Sequence, residues 1–529
     1  MERRWSLGQP VPAAAVALAM TFLAVVVTVF IRSGKSKFRM PPGPMGFPIL
    51  GCLPLLGARP HESLAKLAKK YGSLMSITLG SVKVVVATSP EVTAEFLKTN
   101  DKIWSSRYTT TAGKILSYDG SDIVFSEMGP KWRYARKIFM MELFTPKRLA
   151  DFQPSRKQEI LRGVNDAITR SDGGAETVQL DVILAKVATN IVIRMLMNER
   201  SLSEKAAQIK NSDMFRETIK STFKLLEGFY LGDYVPWLDR IDPQGMKKQM
   251  HAVAKNVDAL AQTILDDHKM KFEINRKDLQ GNSNKARSGE VEDIVDALLT
   301  RPRDADGQYL SEKEMKAIIT NIIFAGTDTN SGTVEAALRE LLRNPHVMEK
   351  ALAEMDSVVG RERLVEESDL PNLPYVNAIV RETFRLHPAG AILVPHLSTD
   401  DCEIQGYKIP AKTTLFVNTW AIQRDPNVYE RPLDFYPERF LGNKKDVHGQ
   451  DFDLLPFGSG RRICPGKGLA LLVVPYTLAI FIQTCNLRLP GDMKPAEDYS
   501  AEVSSAEGHH LEALVTPRLS KDLFLNTAI

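Results

Sequence analysis

Cysteine is scarce. Cys52, Cys402, Cys464 and Cys485 are the only four in 529 residues, and none forms a C-x-x-C pair. A disulfide framework and a structural zinc site are thereby excluded, and a reducing compartment is the expectation. Surplus charge is missing too: 68 Lys and Arg face 64 Asp and Glu, a net of +4 without a long basic tail. A general nucleic-acid binder is therefore excluded. No internal repeat is visible. What remains is 44% apolar and 25% charged, the composition of a chain with a large core, neither disordered nor collagen-like.

One long apolar run breaks the pattern. Val11 to Ile31 carries no charge over 21 residues, and as a helix it would be about 31 Å long, enough to cross a bilayer. Arg32, Lys35, Lys37 and Arg39 follow it, which puts the remainder on the cytosolic side. The expected division is residues 1–10 lumenal, 11–31 a membrane anchor, 32–51 a basic, proline-rich strap and 52–529 a catalytic body. A cleaved secretory peptide is the competing reading; the length of the run and the basic stop after it argue against that.

Within the body, residues 61–71 read as an amphipathic helix and Ser76 to Ala87 as a hairpin about Leu79-Gly80-Ser81. Ser89 to Leu97 reads as a helix opened by Pro90. Helical periodicity dominates from about residue 130 to 270, and Asn275 to Gly289 reads as a polar linker. Strands return within 391–417. The fold class is therefore mainly α with small β-sheets (α+β).

Ser311 to Glu314 is a capping-box pattern, after which Met315, Ile318, Ile319, Ile322 and Ile323 share one face. The pattern runs to Asn344-Pro345, so one helix should traverse the core. Its centre, Ala325-Gly326-Thr327-Asp328-Thr329, is small and polar. Two readings stay open: a groove where a ligand comes close and protons move, or a kink packed on a neighbour.

Phe457 to Gly466 reads FGSGRRICPG. Two glycines suit a tight turn, and Pro465 suits the first position of a helix, which would put Cys464 at its N-terminus. N–H groups and the dipole there favour a thiolate. An anionic sulfur on a rigid turn is what haem iron takes as an axial ligand, although a lone cysteine is more often inert core.

At these residues the chain resembles the cytochrome P-450 family. The pattern F-x-x-G-x-R-x-C-x-G is complete. Glu382 and Arg385 match its E-x-x-R, Pro437 to Phe440 its P-E-R-F, Trp132 and Arg136 its W-x-x-x-R, and Ala325 to Thr329 its A-G-x-D-T. The anchor and the PPGP strap match the microsomal branch, and wording such as WAIQRDP looks like the large plant branch.

The resemblance implies the cytochrome P-450 fold, with a long central helix over the haem. It implies haem b held through Cys464 by its iron, with Trp132, Arg136, His396 and Arg462 at the propionates and Phe457 and Gly466 beside the sulfur. Glu382, Arg385 and Arg439 would form a structural triad, and Asp328 and Thr329 a proton path to bound dioxygen. Asn330 departs from the family's usual Thr or Ser, which puts the details of proton delivery in doubt. Ile322, Ala325, Ala391, Ile392 and Leu393 are apolar candidates for the substrate wall, and at most one of His509 and His510 would reach it.

Further implications are a single-pass protein of the endoplasmic reticulum membrane, with lipid around its anchor, and electrons from NADPH through NADPH–cytochrome P-450 reductase. Cytochrome b5 is a second candidate donor. Lys131, Arg133, Lys137, Arg461 and Lys467 are candidates for the cationic docking face. The reaction expected is O2-dependent hydroxylation of a small, largely apolar metabolite, a phenylpropanoid or flavonoid first among them. Competing readings are an amino-acid or terpenoid oxidase of the same family, a haem-thiolate dehydratase or isomerase that dispenses with dioxygen, and a non-enzymatic haem-binding membrane protein.

Overall fold

The computed structural model describes residues 39–197, 212–281, 293–300, 310–443, 445–491 and 510–525. The expected anchor, residues 32–38 of the strap, residues 282–289 of the linker and His509 lie outside them. The helices used below are labelled α1 (Pro130–Ile138), α2 (Gln153–Arg170), α3 (Leu180–Met197), α4 (Glu312–Arg343), α5 (Pro374–Leu386) and α6 (Lys467–Thr484). The strands are β1 (Leu74–Leu79), β2 (Val82–Ala87), β3 (Ser106–Arg107), β4 (His396–Leu397) and β5 (Thr414–Val417).

β1 and β2 form the expected hairpin, with Leu79 opposite Val82 across Gly80-Ser81. Its sheet runs in the order β1-β2-β5-β4-β3; β2 and β5 are parallel and the other pairs antiparallel. This sheet therefore brings residue 107 and residue 396 into direct register, Arg107 opposite His396. The described part of the strap lies against the body: the carbonyls of Pro41 and Pro42 accept from the Ser76 hydroxyl and N–H at 2.6 and 2.8 Å.

α4 is held at its start by the capping box, Ser311 Oγ accepting from Glu314 N–H. It is continuous over 32 residues, so its centre is interrupted in side-chain volume and not in backbone. Polar side chains there turn back on the helix: Thr327, Thr329, Asn330, Ser331 and Thr333 donate to the carbonyls four residues earlier. That satisfies each of them without breaking the ladder.

Gly326 has a packing role. A Cβ there would sit 2.8 Å from Val192 on α3, so glycine lets the two helices close. α2, α5 and α6 complete the core. α6 is apolar enough to span a membrane, yet it is buried continuously from Val473 to Thr484. A helix that is apolar all round belongs in a core of this size.

The linker expected from Asn275 begins as helix instead. The helix Met246–Gly281 takes in its first seven residues, where Arg276, Lys277, Leu279 and Gln280 favour helix. That helix is pinned near its last third. His268, 2% exposed, places Nδ1 2.8 Å from the Ile264 carbonyl and Nε2 3.0 Å from Asp293 Oδ2. Both ring nitrogens face acceptors, so imidazolium satisfies both. Burial opposes that charge, but the Asp293 hydrogen bond and charge, the Ile264 carbonyl and Asp296 outweigh it and raise the pKa above 6.5. A raised folded-state pKa stabilises the fold below the unfolded value of about 6.5, and this contribution is lost as pH rises through the folded value. Urea midpoints should therefore fall across that window, and His268→Gln should flatten the fall; an equal slope in both proteins would contradict the assignment.

Candidate functional site

The glycine turn before Cys464 forms as its residues demand. Gly458 and Gly460 have φ of 68° and 67°, a region where side chains are strained. At Gly460 the backbone also passes close: a Cβ would lie 2.5 Å from the Leu97 carbonyl oxygen and Asp101 Oδ1. The turn is closed by Cys464 N–H donating to the Phe457 carbonyl at 2.9 Å. Phe457 packs edge-on against Phe384 of α5, with centroids 5.2 Å apart.

The helix after the turn begins later than its sequence suggests. Gly466 is the N-cap and α6 starts at Lys467, so Pro465 lies in the turn before it. Proline removes a donor at a place where none is needed, and the donors that follow are the useful ones. N–H groups of Gly466 and Lys467 are directed at the Cys464 sulfur. Burial pushes the thiol up, while these two donors, the Arg136 guanidinium and the Lys467 charge pull it down. Arg136 also donates from Nη1 to the Ile463 carbonyl at 2.6 Å.

On the other side of the turn, basic groups gather with few acids. Arg462 spends three donors on carbonyls: Nε to Ser105 at 2.6 Å, Nη1 to Ile123 at 3.3 Å and Nη2 to Ser126 at 2.6 Å. Its guanidinium lies 4.4 Å from the centre of the Trp132 ring. Trp132 gives its one N–H to the Ile123 carbonyl at 3.1 Å. In this structure it supports Arg462 and Ile123. His396 places Nδ1 2.8 Å from the Trp104 carbonyl.

Arg107 is not among the residues that sequence reasoning assigns to the cofactor. It is 8% exposed, donates from Nη1 to the Val394 carbonyl at 2.5 Å and leaves Nε without a partner. The one available signal was a lone charge in the uncharged stretch Trp104 to Ala112. Burial first, then Arg462, lowers its pKa to about 9, with Asp122 acting the other way. Burial lowers Arg462 to about 10. Burial and the two arginines push His396 well below 6.5. Asp122 is a carboxylate that counters both arginines. A buried group of cations that weaken one another, one with an orphaned N–H, fits a cofactor bearing carboxylates.

α4 supplies an open face. Ala325 is exposed between buried Phe324 and buried Thr327, so a hollow borders the helix there. Asp328 and Thr329, half-buried, lie one turn on from Ala325 along the same face. Thr329 Oγ1 donates to the Ala325 carbonyl at 2.6 Å. Asn330 is turned the other way, 5% exposed, with its amide on the Gly326 carbonyl at 2.7 Å. The groove reading thus fits Ala325 and Thr329, and the packing reading fits Gly326.

The expected substrate wall divides in the structure. Ile322 and Ala391 are buried, 4% and 8% exposed, and Ile322 lies in the main core. It sits toward the flank that Gly326 packs on α3, which closes it off. Ile392 and Leu393 are half-buried. A Cβ on Gly458 would come within 3.6 Å of Leu393 Cδ1, so Leu393 reaches the cysteine turn. His510 pairs with Asp181 Oδ2 at 2.9 Å on α3.

Glu382 and Arg385 are both fully buried and meet in a fork, Nε to Oε2 at 2.8 Å and Nη2 to Oε1 at 2.7 Å. Arg439 Nε and the Tyr436 N–H reach the same carboxylate at 3.1 and 2.8 Å. The remaining Arg385 donors go to the Gln423, Pro432 and Asp434 carbonyls. Every charge in the cluster is satisfied, which is the condition for burying it.

A cysteine on a closed glycine turn, a group of buried cations joined to that turn through Arg462, and an acid–alcohol pair on an open helix face are the parts a haem-thiolate site would need. Comparisons with known proteins agree. The family profile described as Cytochrome P450 matches residues 41–509. A flavonoid 3'-monooxygenase of Crocosmia x crocosmiiflora is 39% identical over 94% of this chain and 96% of its own. A flavonoid 3',5'-hydroxylase of Solanum melongena is 36% identical over 94% and 95%. A cytochrome P450 of Glycine max is 40% identical over 88% and 91%. A zebra fish cytochrome P450 solved with progesterone superposes with a TM-score of 0.69 at 24% identity, covering 87% of this chain and all of that one. The chain belongs to the cytochrome P450 family. It is a haem-dependent monooxygenase that uses dioxygen and NADPH-derived electrons, delivered through a reductase, on a small molecule.

Removing Glu382 should be costly. Glu382→Ala leaves Arg385 charged, fully buried and without its carboxylate, a loss of about 3–5 kcal/mol. Arg385→Lys should fail similarly, since an ammonium cannot make the fork and three carbonyl bonds at once. Chemical denaturation and haem content of the purified proteins check both; wild-type stability in either would contradict the account.

Proposed function

We propose that this protein hydroxylates a flavonoid or closely related phenolic, with Cys464 as the axial ligand of its haem. The observation that carries the ligand assignment is the sulfur on a closed glycine turn facing the N–H groups of Gly466 and Lys467. Support for the substrate class comes from relatives named for flavonoid hydroxylation that span nearly the whole chain. Haem bound there supplies oxygen activation and the transfer of one oxygen atom to substrate.

The chain's own part is positioning, and it can be followed residue by residue. Gly466 and Lys467 N–H groups damp the charge on the sulfur, and Arg136 holds the turn by the Ile463 carbonyl. Arg107, Arg462 and His396 would hold the cofactor's carboxylates, with Trp132 steadying Arg462 from beneath. On the opposite side, Thr329 Oγ1 can release the Ala325 carbonyl and hold a water at the open face. The half-buried carboxyl of Asp328, next to it, passes protons toward that water. Asn330 takes no part in this relay, since its amide is committed to the Gly326 carbonyl inside the helix. Leu393, Ile392 and Ala325 offer the apolar contact.

For localisation, we read the chain as held in the endoplasmic reticulum membrane by residues 11–31, with its body in the cytosol. Exposed Met45, Phe47, Ile49 and Leu50 support this. So do exposed Trp237 and Ile241, whose segment is tied to the β1–β2 turn by the Ser81 bonds to the Tyr234 carbonyl. Gly51 bridges to Leu79 at the same turn. Apolar side chains gathered at one end are the expected footprint of a lipid surface. On the thiolate side, Lys131, Arg133 and Lys137 are exposed beside Met140 and Met141. They suit an acidic reductase or cytochrome b5. Arg461 is tied to Asp101 at 3.0 Å, so it contributes less to that face.

Reconstitution with reductase, NADPH and labelled dioxygen should yield a flavonoid carrying one labelled hydroxyl. No product from a flavonoid panel, with full haem loading, would overturn the substrate class. Thr329→Ala should keep haem and substrate affinity but divert electrons, raising peroxide released per product by about tenfold. Unchanged coupling would remove Thr329 from the proton path.

A further inference from the structure

The segment Ser117 to Ser126 is fastened to α4 at three levels. Lys313 Nζ is 2.8 Å from Asp119 Oδ2. Lys316 lies 5.8 Å from the centre of the Tyr118 ring and pairs with Asp258 at 2.7 Å. Asn321 Nδ2 donates to Asp122 Oδ2 at 3.2 Å, while Asn321 Oδ1 accepts the Ile123 N–H at 3.0 Å. The Lys313–Asp119 pair is exposed. Asp122 is 1% exposed.

Asp122 also shapes its own loop. Its Oδ1 accepts N–H groups of Phe125 and Ser126 at 2.8 and 3.1 Å. Just before it, Tyr118, Asp119 and Gly120 have φ of 54°, 56° and 69°. Two side-chain-bearing residues in the left-handed region are strained, and such backbone persists only where contacts over-determine it. The far edge of the loop carries the cationic cradle, since Ile123 and Ser126 carbonyls accept from Arg462 and Trp132. Asn321 stands one turn before Ala325 and two before Asp328 and Thr329, on one face of α4.

We infer that the Asp122–Asn321 pair is a positioning clamp: it fixes the distance of residues 123–125 from the open face of α4, and with it the shape and affinity of the pocket. The inference rests on that face being the substrate side. Carboxylate and amide are matched in polarity. In Asp122→Asn, two NH2 groups oppose each other; turning Asn321 over only moves the conflict to the Ile123 N–H. In Asn321→Asp, two carboxylates oppose each other. In the double variant the roles exchange: the carboxylate on the helix accepts from Ile123 N–H and from the amide on the loop, so every bond returns.

The test uses substrate-free holoprotein and needs no turnover, so it is independent of the flavonoid assignment. Hydrogen exchange at the Ile123, Phe125 and Ser126 amides is read first. The dissociation constant of clotrimazole, an azole that ligates haem iron with its apolar body in the pocket, is read second from the Soret shift. Each single variant should speed exchange and weaken the azole about tenfold, and the double variant should return within about threefold of wild type. Loss of haem in a single variant with recovery in the double is the same result. Asn321→Ala, which removes the link without adding charge, should behave as a single variant and decides the matter if both swapped proteins lose haem. Unchanged exchange and affinity in the single variants, or a double variant no better than the worse single, would overturn the clamp.

Discussion

A half-buried, largely desolvated thiol must carry negative charge for this site to work, and desolvation opposes that charge. The structure meets that constraint locally. Gly458 and Gly460 bend the chain so that Cys464 faces the first free N–H groups of α6. Arg136 stands behind the turn on the Ile463 carbonyl. These donors offset part of the desolvation, and a haem iron held there would supply the rest of the compensating charge. Much of the fold keeps this turn still: Phe384 against Phe457, the two Asp101 ties to the Arg461 N–H and guanidinium, and the fully satisfied Glu382–Arg385–Arg439 cluster that anchors α5.

A second constraint acts on the opposite charge. Arg107, Arg462 and His396 are brought together by the sheet register of β3 with β4 and by carbonyls of the Ser105–Ser126 stretch. Placed so, they depress one another's charge, and a dicarboxylate cofactor resolves the conflict. The thiolate site and the cationic site therefore each lack what the other end of the same cofactor provides. That complementarity is a stronger argument for haem than either feature alone.

What could be read from the sequence was what is local in it. The glycine turn, the E-x-x-R pair, the capped long helix and the β1–β2 hairpin are each determined within about ten residues, where spacing maps directly onto geometry. Features set by contacts far along the chain could not be read. Arg107 acquires its meaning from Val394 and His396, nearly three hundred residues away. Asp122 acquires its from Asn321. Gly326 left a ligand groove and a packing contact equally open, and only Val192, on another helix, decides for packing. Trp132 acquires a packing role from Arg462, 330 residues further on, whose guanidinium lies over its ring. The start of α6 slipped by two residues because proline suits a turn as well as a helix's first position.

Reduction under carbon monoxide tests the central assignment most directly. The account predicts a Soret band at the red-shifted, thiolate-type position in the wild-type protein and its disappearance in Cys464→Ser. An imidazole-type band in the wild type, or an unchanged band in Cys464→Ser, would contradict it.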